Sequence, residues 1–207
     1  PDKKEDKKED KQEPVEPAAV EVWHARDVDV MPRQKINART DRQRNTLAAW
    51  HVDTNRFVPL GTDLFERVTP LRRQRLAYAA NWSSYAMERT IGRPAADVYL
   101  VDIDTGARTK VKDAIDDQTL QASPGGRYLL YLQADQYWTI DTTPRAVVSI
   151  SKAAATSFVN RESDATVKQK PPFGVAGWTK HDEAVILYDK FDAWRVAANG
   201  SGAARLT

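Results

Sequence analysis

The feature that most constrains this chain is a turn-and-strand unit that recurs. "ASPGGRYLLYLQ", residues 122–133, places a Pro-Gly-Gly turn directly before an alternating aromatic and aliphatic run. "VTPLRRQRLAYAAN" and "GWTKHDEAVILYDK" repeat the plan: a small or polar residue, a turn, a charged residue, then an apolar strand. A second unit is interleaved with the first. "DVYLVDIDTGARTKV" (97–111) reads as a hairpin in which Tyr99, Val101 and Ile103 alternate with Leu100, Asp102 and Asp104, and Gly106 supplies the left-handed turn residue. "QYWTIDTTPRAVV" and "WRVAANGSGAARLT" match it, so two hairpin types alternate, each used three times. Aligning Asp104 with Asp141 and Ala198 gives steps of 37 and 57 residues, and the longer step points to an insertion at the polar "NRESDATVKQKPP", 160–172.

Further strands are expected at "TLAAWHV" (46–52) and "FVPLG", joined by the turn "DTNR". Sustained helical periodicity is absent. The best helical candidates, "TDRQRNTLAAW" and "SKAAAT", are short or poorly patterned, so the globular part reads as all-β. A unit of about 40 residues that yields four short antiparallel strands describes a β-propeller blade. A β-sandwich offers similar strands without the repeat, so the repeat favours the propeller. From Trp23 to Thr207 there is room for about four blades at ~45 residues each, which makes the chain a small propeller or part of a larger one.

Residues 1–22, "PDKKEDKKEDKQEPVEPAAVEV", carry a doubled "DKKE", three prolines and almost no apolar residue before Val15. Such a segment buries too little to offset its conformational entropy, and the expectation is a disordered charged linker ahead of a propeller domain at 23–207. Lysine and arginine total 31 against 29 acids, a balance that argues against nucleic acid or an anionic membrane as partner. No apolar run approaches the ~20 residues of a membrane-spanning helix, and the absence of cysteine excludes disulfides and thiolate metal sites. The chain begins with Pro and shows no signal-peptide pattern, from which we expect that a natural N-terminus has been removed.

Few residues suggest chemistry. His24, His51 and His181 lie far apart and none has a neighbour at metal-ligand spacing, so no metal or cofactor site is expected. Asp102 and Asp104, at i and i+2, can share one face of a strand and act as an acid and base pair or hold a cation. The simpler expectation is structural: Asp104 bonds the DTG turn, while Asp102 faces solvent or a neighbouring blade. Asp189 and Asp192 do not share a face in this way. Arg33 to Arg44, with Lys35, Arg39 and Arg42, together with Arg72, Arg73 and Arg75 offer a candidate basic surface beside the six tryptophans, but strand tryptophans are buried by default. "NWS" (81–83) and "NGS" (199–201) fit the glycosylation triplet and arise readily by chance.

The stretch "VWHARD", the following "PRQK" and the Arg-rich segment after it resemble the N-terminal propeller region of bacterial prolyl oligopeptidase family serine peptidases. "SPGGRYLLY", "VYLVDIDTG" and "GWTKHDEAVILYDKFDAWRV" resemble successive blades of that region, over most of residues 20–207. The resemblance implies a periplasmic or secreted protein whose propeller controls access of peptide substrates to an α/β-hydrolase domain expected downstream of Thr207. That domain would carry a Ser, Asp and His triad with its serine in a G-x-S-x-G elbow. No elbow occurs here: "NGSGA" (199–203) has the wrong spacing, and Ser123 belongs to a turn. No catalytic residue is therefore assigned, and the substrate-binding residues are unknown. A free-standing propeller that binds a protein or peptide is the other expectation.

Overall fold

The computed structural model describes residues 20–90, 95–116, 118–166 and 169–207. Most of the expected linker, residues 1–19, lies outside the described residues. Among the described residues one α-helix, α1 (Met31–Arg42), precedes fourteen strands. The strands are β1 (Ala48–His51), β2 (Arg56–Pro59), β3 (Glu66–Pro70), β4 (Leu76–Asn81), β5 (Ala95–Asp102), β6 (Arg108–Asp116), β7 (Gln121–Ala122) and β8 (Tyr128–Gln133). They continue with β9 (Gln136–Asp141), β10 (Val147–Ser149), β11 (Val175–Trp178), β12 (Ala184–Tyr188), β13 (Ala193–Ala197) and β14 (Ala203–Arg205). The sheets follow chain order without crossovers: β1–β2, then the antiparallel meanders β3–β6, β7–β10 and β11–β14. These are three propeller-type blades behind a two-stranded hairpin.

The sheets stack face to face in the same order because their strands are apolar on both sides. In β8, Leu129 and Tyr131 turn towards the first blade and meet Tyr78, Ala80, Val98 and Leu100. Leu130 and Leu132 turn the other way and meet Val185, Leu187 and Val196 of the third. A strand covered on both faces needs a continuous apolar run rather than strict alternation, and "YLLYL" is that run. Tyr128 shares the second face and stacks on Trp178, with ring centroids 6.3 Å apart and planes 12° from parallel. Val58 and Leu60 of the β1–β2 hairpin and its continuation cover Ala77, Ala79 and Val101 on the opposite side of the first blade.

Backbone hydrogen bonds put the repeats in register. The opening turns close through Leu71 N–H to Leu76 O, Ser123 N–H to Tyr128 O and Thr179 N–H to Ala184 O, at 2.8–2.9 Å. The later hairpins close through Asp102 to Ala107, Asp141 to Ala146 and Ala197 to Gly202, each at 2.9 Å. Asp141 therefore matches Asp102 and Ala197, giving steps of 39 and 56 residues, and the alignment on Asp104 and Ala198 is corrected. The hairpin loop, not the position of an aspartate within it, sets the register.

The extra residues do fall between β10 and β11. The connection is anchored by apolar residues just ahead of the polar stretch: Phe158 and Val159 plug the seam between the second and third blades, and Val159 bridges Pro172.

Helix α1 was not legible as an amphipathic segment. It buries no residue, and its sequence "MPRQKINARTDR" has no apolar stripe. Proline in its first turn, a run of good helix formers and Arg39 and Arg42 in its last turn favour the helix locally. The candidate "TDRQRNTLAAW" is split between the end of α1 and strand β1, and "SKAAAT" contains only a 3-10 turn at Ser151–Ala153.

Candidate interaction surface

In a four-stranded meander the first and third connections emerge at one end, so one edge of the molecule gathers the turns 71–75, 123–127 and 179–183 with the loops 52–55, 103–106, 142–145 and 198–201. Most candidate polar residues lie here. Asp182 is buried at the turn of the third blade and reaches back to the second. It accepts hydrogen bonds from Ser123 Oγ (2.6 Å), Gly125 N–H (2.9 Å) and Arg127 N–H (3.3 Å). Ser123 Oγ also accepts the Tyr128 N–H at 2.9 Å, so its proton and an acceptor lone pair are both spent on structure. This confirms Ser123 as a turn residue. Gly126, at the matching position of the second blade, adopts φ +78°, and a Cβ there would overlap the Arg72 carbonyl of the first.

The paired-carboxylate expectation is reversed in detail. Asp102 closes β5 and accepts from the Thr105 N–H and hydroxyl at 2.7 and 2.8 Å, so Asp102 holds the turn. Those bonds keep its carboxyl below the usual range despite some desolvation. Asp104 lies beyond the strand end and points to the Arg75 guanidinium, whose hydrogen bonds hold its carboxyl low. The two acids are thus directed to different partners rather than to one ligand.

The third such acid, Asp189, sits in the turn between β12 and β13. Partial burial acts to raise its pKa. Donors from Phe191 N–H, Asp192 N–H, Thr156 Oγ1 and Trp194 Nε1 prevail and bring it from 3.8 to about 2. Thr156 belongs to the connection between β10 and β11, so Asp189 pins that connection to the third blade.

The histidines stay apart. His24 is exposed ahead of α1, and His181 is exposed in a left-handed turn conformation, φ 59°. His51 Nε2 lies 3.3 Å from the Ile103 carbonyl, a tie between the hairpin and the first blade. Among the described residues no three His, Asp or Glu side chains converge to hold a metal ion.

The two halves of the basic surface separate. Arg44 donates to the Leu64 carbonyl near the start of β3, whereas Arg72, Arg73 and Arg75 follow its end, a strand length of about 16 Å away. Arg33, Lys35 and Arg44 each pair with an acid. Of the asparagines of the two glycosylation triplets, Asn81 ends strand β4 and bonds Ser83 and Glu66, and Asn199 is a turn residue that accepts the Ser201 N–H.

What the sequence reading missed is apolar. Trp50 and Phe57 face each other across β1 and β2 and stand 60 % and 68 % exposed, beside exposed Val52. The hairpin's other face is fastened down: Arg108 donates to the Leu60 carbonyl (2.9 Å) while pairing with Glu66, and Arg56 donates to the Asp104 carbonyl (2.6 Å). An aromatic pair opposite a docked face was the available signal, hidden by the assumption that strand tryptophans are buried. No helix among the described residues is long and apolar enough to cross a membrane.

No family model and no curated protein matches the sequence. Among solved structures, the crystal structure of TolB from Acinetobacter baumannii is similar with a TM-score of 0.41 and 16 % identity, over 78 % of this chain and 37 % of that one. The chain thus spans well under half the length of that structure.

Proposed function

We propose that this chain is the non-catalytic propeller portion of a prolyl oligopeptidase-like serine peptidase, periplasmic or secreted, that controls peptide access to a hydrolase domain outside these residues. The blade-like sequence segments motivate the family. The observation that carries the non-catalytic role is the fate of the polar groups: Ser123 and Asp182 bond each other across a seam, Asp102 holds its own turn, and Asp104 holds Arg75. A nucleophile needs an accessible hydroxyl beside a free base. Ser123 is 2 % exposed and already bonded.

The test is a fluorophosphonate probe with a chromogenic peptide assay, applied to the 207-residue chain and to the full polypeptide encoded by its natural gene. The chain should show neither labelling nor turnover, and the full polypeptide should be labelled at a serine in a G-x-S-x-G segment beyond Thr207. Turnover by the chain alone, or a reading frame without that segment, overturns the proposal. The second reading, a free-standing propeller that binds a protein or peptide, is favoured by the exposed Trp50 and Phe57.

A further inference from the structure

The β1–β2 hairpin is the outer half of a fourth blade. Its loop, 52–55, has four residues between the paired His51 and Arg56, as do 103–106, 142–145 and 198–201 in the three complete blades. Asn55, Gly106 and Arg145 occupy the last loop position and share a left-handed φ of 49°, 75° and 58°. The packing agrees with that register. Val58 sits against Gly106 of the following sheet as Val148 of β10 sits against Gly200.

This register equates Trp50 with Val101, Ile140 and Val196, all 0 % exposed, and β1 with β5, β9 and β13. Each of those strands pairs on its other side with the second strand of its blade, β4, β8 or β12. Among the described residues β1 pairs only with β2. Leu60 N–H bonds Leu47 O, so by antiparallel alternation Ala49 and His51 direct their backbone groups to β2, and Ala48 and Trp50 direct theirs to the open edge. In the second blade the corresponding residues, Trp138 and Ile140, are opposite Tyr131 and Leu129.

We propose that the open edge of β1 receives an extended apolar segment from a partner, added antiparallel beside Ala48–His51 as β8 lies beside β9. The donors and acceptors of Ala48 and Trp50 fix the strand, as in recognition by strand addition, and bulky apolar residues at alternate positions cover the Trp50 face. The chemistry of the occupant is that of "YLLYL": consecutive apolar residues without proline. This inference is independent of the peptidase reading, because it concerns the strand that fills an edge and not the reaction of any larger protein.

The probe is a fluorescein-labelled peptide of residues 122–133, titrated with the full 207-residue chain and read by anisotropy. Saturable binding is expected. Ala48→Pro removes an edge N–H that the hairpin does not use, and should weaken binding about tenfold while leaving the thermal midpoint in place. Trp50→Ser, at an exposed position, should also weaken binding if Ala48→Pro proves poorly folded. The same peptide N-methylated at Leu129 and Tyr131 should not bind. Absence of saturable binding overturns the proposal, as does binding unchanged by both substitutions. Sedimentation decides the remaining occupant: a dimer of the free chain that Ala48→Pro renders monomeric would replace the partner strand with a second copy.

Discussion

Ile140 and Trp50 occupy the same slot in two sheets and meet opposite fates. Ile140 is fully buried between the first and second blades, and Trp50 is 60 % exposed on the hairpin. Both are large and apolar, and both sit in the first strand of a hairpin, one residue before the loop-closing pair. What separates them is the neighbour. Ile140 has β8 beside it and the first blade across from it, and among the described residues Trp50 has neither. Burial in this fold is a property of the stack, not of the residue. The sharpest way to break the comparison is Ile140→Ala, which should cost roughly 2–5 kcal/mol of stability in urea titration, because it opens a cavity that rigid strands on both sides cannot fill. A cost under about 1 kcal/mol would mean that the seam between the first two blades is loose.

The seams themselves differ in the same direction. Gly126 joins the first and second blades with a left-handed φ, and its missing side chain makes room for the Arg72 backbone. Gly106 joins the first blade to the hairpin, also left-handed, but a Cβ there would stand 3.1 Å from Pro59 O and 3.2 Å from Val58 Cγ1. Gly126→Ala therefore meets backbone overlap as well as backbone strain and should cost roughly 2–4 kcal/mol. Gly106→Ala meets a contact that a small shift relieves, and roughly 1–2 kcal/mol is expected for the conformational strain alone. Equal costs would show that the hairpin is held as rigidly as a complete blade.

Sequence pattern revealed the three blades because their opening turns and buried strands announce themselves: Pro124, Gly125 and Gly126 before "YLLYL", and Gly106 after "YLVD". It aligned the later hairpins imperfectly because Asp102 and Asp104 are alike in type while only Asp102 holds a turn. The β1–β2 hairpin was expected from its strand-turn-strand pattern, but its likeness to the other three was hidden for a related reason. His51 stands where Asp102 and Asp141 stand, and Asn55 supplies the left-handed residue without a glycine. The bond from Ser123 to Asp182 spans 59 residues, and no local pattern reports a contact of that separation. Helix α1 escaped because nothing in it is buried, and burial is what periodicity detects.

Acid should loosen the tie between the β10–β11 connection and the third blade. Asp189 ties the Thr156 segment to the third blade and titrates at about 2, well below 3.8 for an ordinary aspartate. Its folded-state pKa is depressed, so its contribution is complete above about pH 4 and is lost as pH falls towards 2. Asp189→Asn should remove that acid-dependent part of the stability curve, about 1 kcal/mol once solvent screening of a partly exposed carboxylate is included. Stability measured from pH 5 down to pH 2 checks the sign: the wild type should lose more than the variant. A steeper loss in the variant would assign the acid sensitivity elsewhere.

The smallest effect belongs to Trp50, and its smallness is the informative result. Its indole donates to Asn55 Oδ1 at 3.2 Å in an exposed setting, and its ring covers little of the first blade, which the hairpin holds through Val58 and Leu60. Trp50→Ser in the free chain should change stability by no more than about 0.5 kcal/mol, the range of a surface substitution. Ile140→Ser at the matching slot would place a hydroxyl in a closed apolar seam and cost several times as much. If the free chain instead loses stability on Trp50→Ser as it does on Ile140→Ala, the Trp50 face is already covered, and the half-blade has found its occupant in solution.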